Sequence, residues 1–105
     1  MKESDWKTFK KIKEYAIEKY CTTVLDEFRD VIDDEKEHPH DKYLLLYKLI
    51  KNRDKEMSLL FDYHSRSKAA LQLIGIRAKG LANEDLLSKL STEFLERTDP
   101  KTLGW

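Results

Sequence analysis

"KEHPHDKY", residues 36–43, separates two long apolar runs, and whether it continues or reverses the chain decides the fold. Pro39 drives His38 out of helical geometry, and Asp41 is a residue type that caps a following helix. The stretch reads as a tight reversal over about 37–41 that returns the second run antiparallel to the first, as an αα-hairpin.

Upstream, Ser4 and Asp5 are suited to cap a helix opening at Trp6. From there Trp6, Phe9, Ile12, Ala16, Ile17, Tyr20, Cys21, Val24, Leu25, Phe28, Val31 and Ile32 recur at three- and four-residue steps, with no Gly or Pro before Pro39. The period predicts one helix over about 5–35. At roughly 1.5 Å per residue it is about 45 Å long. That is long for a chain of this size, for which a compact radius of gyration is about 13 Å.

Downstream, Tyr43 to Ile50 is apolar on nearly every side, and a second apolar stretch runs from Met57 to Ala78. Between them "KNRDKE", residues 51–56, is wholly polar. It is either a break, with Asn52 closing one helix and Asp54 capping the next near 52–54, or a polar collar within a helix over about 41–79. The absence of Gly and Pro and the good helix formers Arg, Lys and Glu favour continuity. Gly80 ends the run as the left-handed residue after a helix, and Gly75 inside it costs about 1 kcal/mol relative to Ala. Asn83 and Ser91 then cap short helices over about 84–97, and Pro100 stops them, leaving 98–105 as a tail. The expectation is an all-α single domain over 1–105: a long antiparallel helical hairpin with short C-terminal helices, bundle-like, completed by dimerisation.

Composition narrows the function classes. Twenty basic and twenty acidic side chains cancel, and 40% hydrophobic with 38% charged residues describes a helix-rich globule. Zero net charge gives no global attraction to nucleic acid or anionic lipid. No apolar run approaches the ~20 residues of a transmembrane helix, and charges fill the first twenty positions where a signal peptide would be apolar. Cys21 is the only cysteine and sits on the apolar stripe, so it reads as a small core hydrophobe in a reducing compartment; the expected location is the cytoplasm.

Helical geometry sorts the polar residues. Asp62 and His64, in "DYHSRS" (62–67), lie ~200° apart on a helix and cannot form a local dyad. Asp62 reaches Arg66 at i+4 instead. A heptad seam through Leu46, Leu49, Arg53, Glu56, Leu60, Tyr63, Ser67, Ala70 and Ile74 carries Arg53 and Glu56 at core positions one turn apart, where either alone would be costly to bury. In the hairpin, residues whose numbers sum to about 77 are opposite. Arg53 and Glu56 then face Val24 and Cys21, with Glu27 near enough to compete for Arg53. The simpler reading of Arg53 and Glu56 is a solvated collar at a helix break. The alternative is a polar layer that fixes register or partner choice.

Catalytic chemistry finds little footing. His38, His40 and Glu35 could bind metal at the hairpin tip, and Glu35 with His38 has the i, i+3 spacing of di-iron bundles, but there is no second copy of that motif. Cys21 and His64 fall at different levels, and no Gly-rich elbow or phosphate loop occurs. The expectations are no enzyme activity, no cofactor and no dedicated metal site. Arg66, Lys68, Arg77 and Lys79 are too few and too scattered for a nucleic-acid footprint. Asp26–Glu37 holds seven acids and two bases, against one acid and four bases in Asp62–Gly80, an asymmetry able to steer partners. Too much apolar surface remains for one hairpin to cover, so a homodimer with a four-helix core near Tyr43, Leu46 and Leu49 is expected, in a small interaction or regulatory protein. The alternatives are a metal- or small-ligand-binding helical bundle using His38, His40 and neighbouring carboxylates and, more weakly, a nucleic-acid-associated adaptor using the basic face of residues 66–79.

Overall fold

The computed structural model describes residues 1–105 as five helices and no strand: α1 (Glu3–Asp33), α2 (Pro39–Phe61), α3 (Arg66–Ala78), α4 (Glu84–Leu87) and α5 (Thr92–Arg97). His38 is extended, with Pro39 at the first helical position, where a missing N–H costs nothing. Asp41 therefore stands inside the first turn of α2 rather than capping it. The hairpin register agrees with expectation. Lys13 meets Tyr63, Glu27 meets Arg53, and Lys42 meets Ile32, each pair summing to within four of 77.

"KNRDKE" is continuous helix within α2, and the break falls six residues beyond its end, at Asp62–Ser65. This corrects the expectation of one helix to residue 79 and removes the Asp62–Arg66 pair. No Gly or Pro forces the turn; tertiary contacts hold it. The Tyr63 carbonyl accepts from Lys13 Nζ at 2.6 Å and from Gln72 Nε2, and the His64 ring lies 5.5 Å from that of Trp6. Arg66 pairs with Glu3 at 2.6 Å and stacks over Trp6. Residues 62–68 are all exposed, so the polar hexapeptide is a solvated reversal and not the wet face of a helix. The seam through Tyr63 and Ser67 does not form.

After the turn α3 runs parallel to α1, from Arg66 beside Glu3 to Gly80, whose carbonyl accepts from Lys19 Nζ at 3.0 Å. Its end is a Schellman motif: Gly80 has φ +70°, its N–H donates to Arg77 O, and Leu81 N–H reaches Ile76 O. Gly75 has no such reason, since a methyl group there would meet Leu60 Cδ2 at an ordinary 3.5 Å.

The core lies at one end, where Phe9, Ile12 and Ala16 of α1, Phe61 of α2, Ala69, Leu73 and Ile76 of α3, and Leu87, Leu90 and Phe94 come together. Leu59 is 82% exposed, and α4 packs on α1. Asn83 and Ser91 cap α4 and α5 as expected. Asp5, expected to cap α1, sits inside its first turn, since that helix opens at Glu3, and bonds Ser91. The residue after α5 is not a loose tail: Thr98 is fully buried, donating to Phe94 O and accepting from Arg77 Nη1.

The other end is an arm. α1 and α2 continue past the core as a bare two-helix hairpin, giving a body 53 Å long and about 25 Å wide, with a radius of gyration of 16.7 Å. No helix is long and apolar enough to cross a membrane.

Candidate functional site

The two flanks of the α1–α2 hairpin differ in chemistry. On the flank that faces the end of α3, Arg53 gives Glu27 a two-pronged bond, Nε to Oε1 and Nη2 to Oε2, both at 2.9 Å. Glu56 is held by Lys79 Nζ at 3.2 Å, and the Tyr20 hydroxyl donates to the Arg53 carbonyl at 2.9 Å. Arg53 and Glu56 are therefore neither solvated at a helix break nor paired with one another. They form a polar layer that joins α2 to α1 through Glu27 and to α3 through Lys79.

Electrostatics follow this geometry. The Arg53 hydrogen bond holds the Glu27 carboxyl below its usual range, and Glu27 in turn raises Arg53. Burial alone would raise Glu56, but the hydrogen bond from Lys79 and the nearby Tyr20 hydroxyl, with the charges of Lys79 and Arg53, outweigh it and lower its pKa. Burial, reinforced by Glu56 as a second nearby acceptor, pushes Tyr20 up to about 12. At the base, burial lowers Lys13 against the opposing pull of Asp62.

The opposite flank is apolar and open. Cys21, Val24, Leu25 and Phe28 of α1 and Ile50 and Met57 of α2 line a groove of about 250 Å³. Beyond it the same spacing continues. Cys21, Leu25, Phe28 and Ile32 recur at heptad steps on α1, as do Tyr43, Tyr47, Ile50, Asp54 and Met57 on α2. Leu25, Ile32, Tyr43, Tyr47 and Ile50 are 44–66% exposed, and Leu44 and Leu45 add about half their surface each. Leu46 and Leu49, expected in a shared core with Tyr43, are half-buried, while Tyr43 is 66% exposed. The α1 stripe is written in the sequence at 21, 25, 28 and 32. It stood hidden inside a broader apolar face until the structure showed which part Tyr20 and Val24 turn inward.

The remaining candidates do not converge. His38, His40 and Glu35 are exposed around the hairpin tip, and nowhere do three His, Cys, Asp or Glu side chains gather as metal ligands do. Cys21 is half-buried at the groove, far in the register from exposed His64. Of the basic residues near α3, Arg66 is bound to Glu3, Lys79 to Glu56, and Arg77 donates to Leu95 O at 2.7 Å in the last turn of α5. A second apolar cluster, Leu59 on α2, Tyr63 in the turn and Leu71 on α3, shares a cleft with Trp105. No protein-family model matches the chain, and neither the curated proteins nor the solved structures contain a match to it.

Proposed function

We propose that the chain is a small cytoplasmic interaction or regulatory protein, without catalytic chemistry of its own, that works as a homodimer through the apolar flank of its arm. One observation carries this reading: two parallel heptad stripes lie on one open face, with five large apolar side chains at 44–66% exposure. Soluble monomers rarely expose contiguous apolar patches above a few hundred Å². A standard interface buries about 800 Å² per partner, and two tyrosines and three aliphatic side chains of this size supply its apolar centre.

Sedimentation equilibrium tests it. The chain is expected to be dimeric at tens of micromolar, and Tyr47→Lys combined with Ile50→Lys to be monomeric with unchanged helical circular dichroism, because both side chains already face solvent in the single chain. A monomeric parent protein overturns the reading.

A further inference from the structure

Two hairpins can meet face to face with twofold symmetry in two ways. If the axis runs along the helices, both arms point the same way and α1 of each copy lies over α2 of the other. If the axis runs across them, the arms point in opposite directions, α1 lies over α1 and α2 over α2. Apolar stripes alone do not choose between these. Charge does.

The two helices of the arm carry opposite charge. Within the arm, Asp26–Asp33 of α1 holds four acids and one base, whereas Asp41–Glu56 of α2 holds five bases and three acids. With the Glu27–Arg53 and Glu56–Lys79 pairs of the polar flank set aside, the α1 segment keeps three acids against one base and the α2 segment four bases against two acids. Crossing the axis would set acidic helix on acidic helix and basic on basic, along the full length of the contact. Running the axis along the helices sets the acidic segment of each copy against the basic segment of the other, the self-complementary pattern that symmetric association requires.

The stripes agree with that choice. In the hairpin register, Leu25 is level with Ile50, Phe28 with Tyr47, and Ile32 with Tyr43, because each pair keeps nearly the same sum as the observed contacts of Glu27 with Arg53 and Lys42 with Ile32. With arms pointing the same way, the partner copy presents its own residues at those heights, so each α1 stripe residue meets an α2 stripe residue. The short helices do not obstruct this. α3 reaches the hairpin on the polar flank, through Lys79 to Glu56 and Lys19 to Gly80, leaving the apolar flank uncovered.

We infer that the chain docks with a second copy of itself, arms parallel, the acidic α1 of each against the basic α2 of the other, in a four-helix arrangement with antiparallel neighbours. This rests on the dimer reading above. Adjacent helices in such a bundle are about 8–10 Å apart at their axes, while the two α1 helices are diagonal and beyond disulfide reach, for which Cα atoms must come within about 4.4–6.8 Å.

Crosslinking tests it. Leu25→Cys on a tagged chain and Ile50→Cys on an untagged one, each also carrying Cys21→Ser, are mixed, allowed to exchange and oxidised. Mixed disulfide dimers are expected, with Leu25→Cys alone giving severalfold fewer crosslinks. Efficient crosslinking of Leu25→Cys, Phe28→Cys or Ile32→Cys to itself overturns the arrangement while leaving the dimer intact. So does a sedimenting dimer that yields no disulfide in any combination. A monomer by sedimentation at tens of micromolar overturns the arrangement and the dimer together. Salt supplies a readout on the unmodified chain: from about 0.1 to about 1 M, the screening length falls from about 10 Å to about 3 Å. Unlike helices in contact predict severalfold weaker dimerisation across that range, and like helices predict stronger; strengthening overturns the proposal.

Discussion

Asp5, in the first turn of α1, accepts two hydrogen bonds from Ser91: from its backbone N–H at 2.8 Å and from its hydroxyl at 2.6 Å. The Ser91 hydroxyl in turn accepts from Phe94 N–H at 3.2 Å, so the carboxylate of one helix completes the cap of another. Asp5 is 3% exposed, and a carboxylate at the positive end of a helix is favourable there. Asp5→Ala is expected to lose about 2–3 kcal/mol, the range for hydrogen bonds to charged groups plus donors left unpaired. Ser91→Ala should lose less. The double variant should be less destabilised than the sum of the two, and urea denaturation of the four proteins measures the coupling.

Glu27 and Arg53 are each about one-third exposed, so their two-pronged bond contributes about 1 kcal/mol and not the worth of a buried pair. The folded-state pKa of Glu27 lies below its ordinary 4.5, as does that of Glu56. Their contribution is therefore complete above that value and is lost as pH falls through the lowered one. Glu27→Gln is expected to cost about 1 kcal/mol at neutral pH and progressively less on acidification. Denaturant midpoints of parent and variant, measured from pH about 7 down to about 3, should converge.

At the alkaline end the sign is reversed. Tyr20 is raised from 10.0 to about 12, so its folded form keeps a proton that the unfolded chain gives up. That contribution is full below 10 and is lost as pH rises through about 12, on the order of 2–3 kcal/mol at one pKa unit per ~1.4 kcal/mol. Lys13, lowered from 10.5, works the other way, but its effect is finished once the unfolded lysine has titrated. Tyr20→Phe should flatten the loss of stability above pH about 10, which thermal melts across that range would reveal.

Gln72 is 6% exposed and its Oε1 has no hydrogen-bond partner, while its Nε2 shares the Tyr63 carbonyl with Lys13. An orphaned buried acceptor costs about 1–3 kcal/mol. Gln72→Met is expected to be neutral or stabilising, because Lys13 still satisfies the carbonyl. Lys13→Met made on top of it should lose about 1–3 kcal/mol by stripping that carbonyl of both donors. A Gln72→Met variant that melts well below the parent would count against this account.

The parts of the fold legible in sequence are those decided within a turn or two of the chain. The reversal at Pro39, the caps at Asn83 and Ser91 and the left-handed Gly80 depend on residues within six positions of one another. The break at Asp62–Ser65 does not. It is held by Lys13, fifty residues away, and by Trp6 and Glu3, so the local helix-forming character of the segment points the wrong way. Asp5 shows a third case, a residue whose chemistry as a cap was readable while the helix it serves was not. For the candidate surface, the polar pair Arg53–Glu27 follows from the hairpin register alone, but the outward stripe becomes visible only once α3 is known to cover the other flank.

The Asp5–Ser91 link also has a consequence for how the chain comes into being. Phe9, Ile12 and Ala16 are made about eighty residues before the Leu90 and Phe94 that share their core. The arm can form its helices while the rest is still being synthesised, since its contacts are local to the hairpin. The core must wait, with the apolar residues of α1 uncovered until Leu90 and Phe94 have emerged. Chains held in that state at high density would meet through those residues as readily as through the arm, so expression rate and temperature should influence how much reaches the folded form.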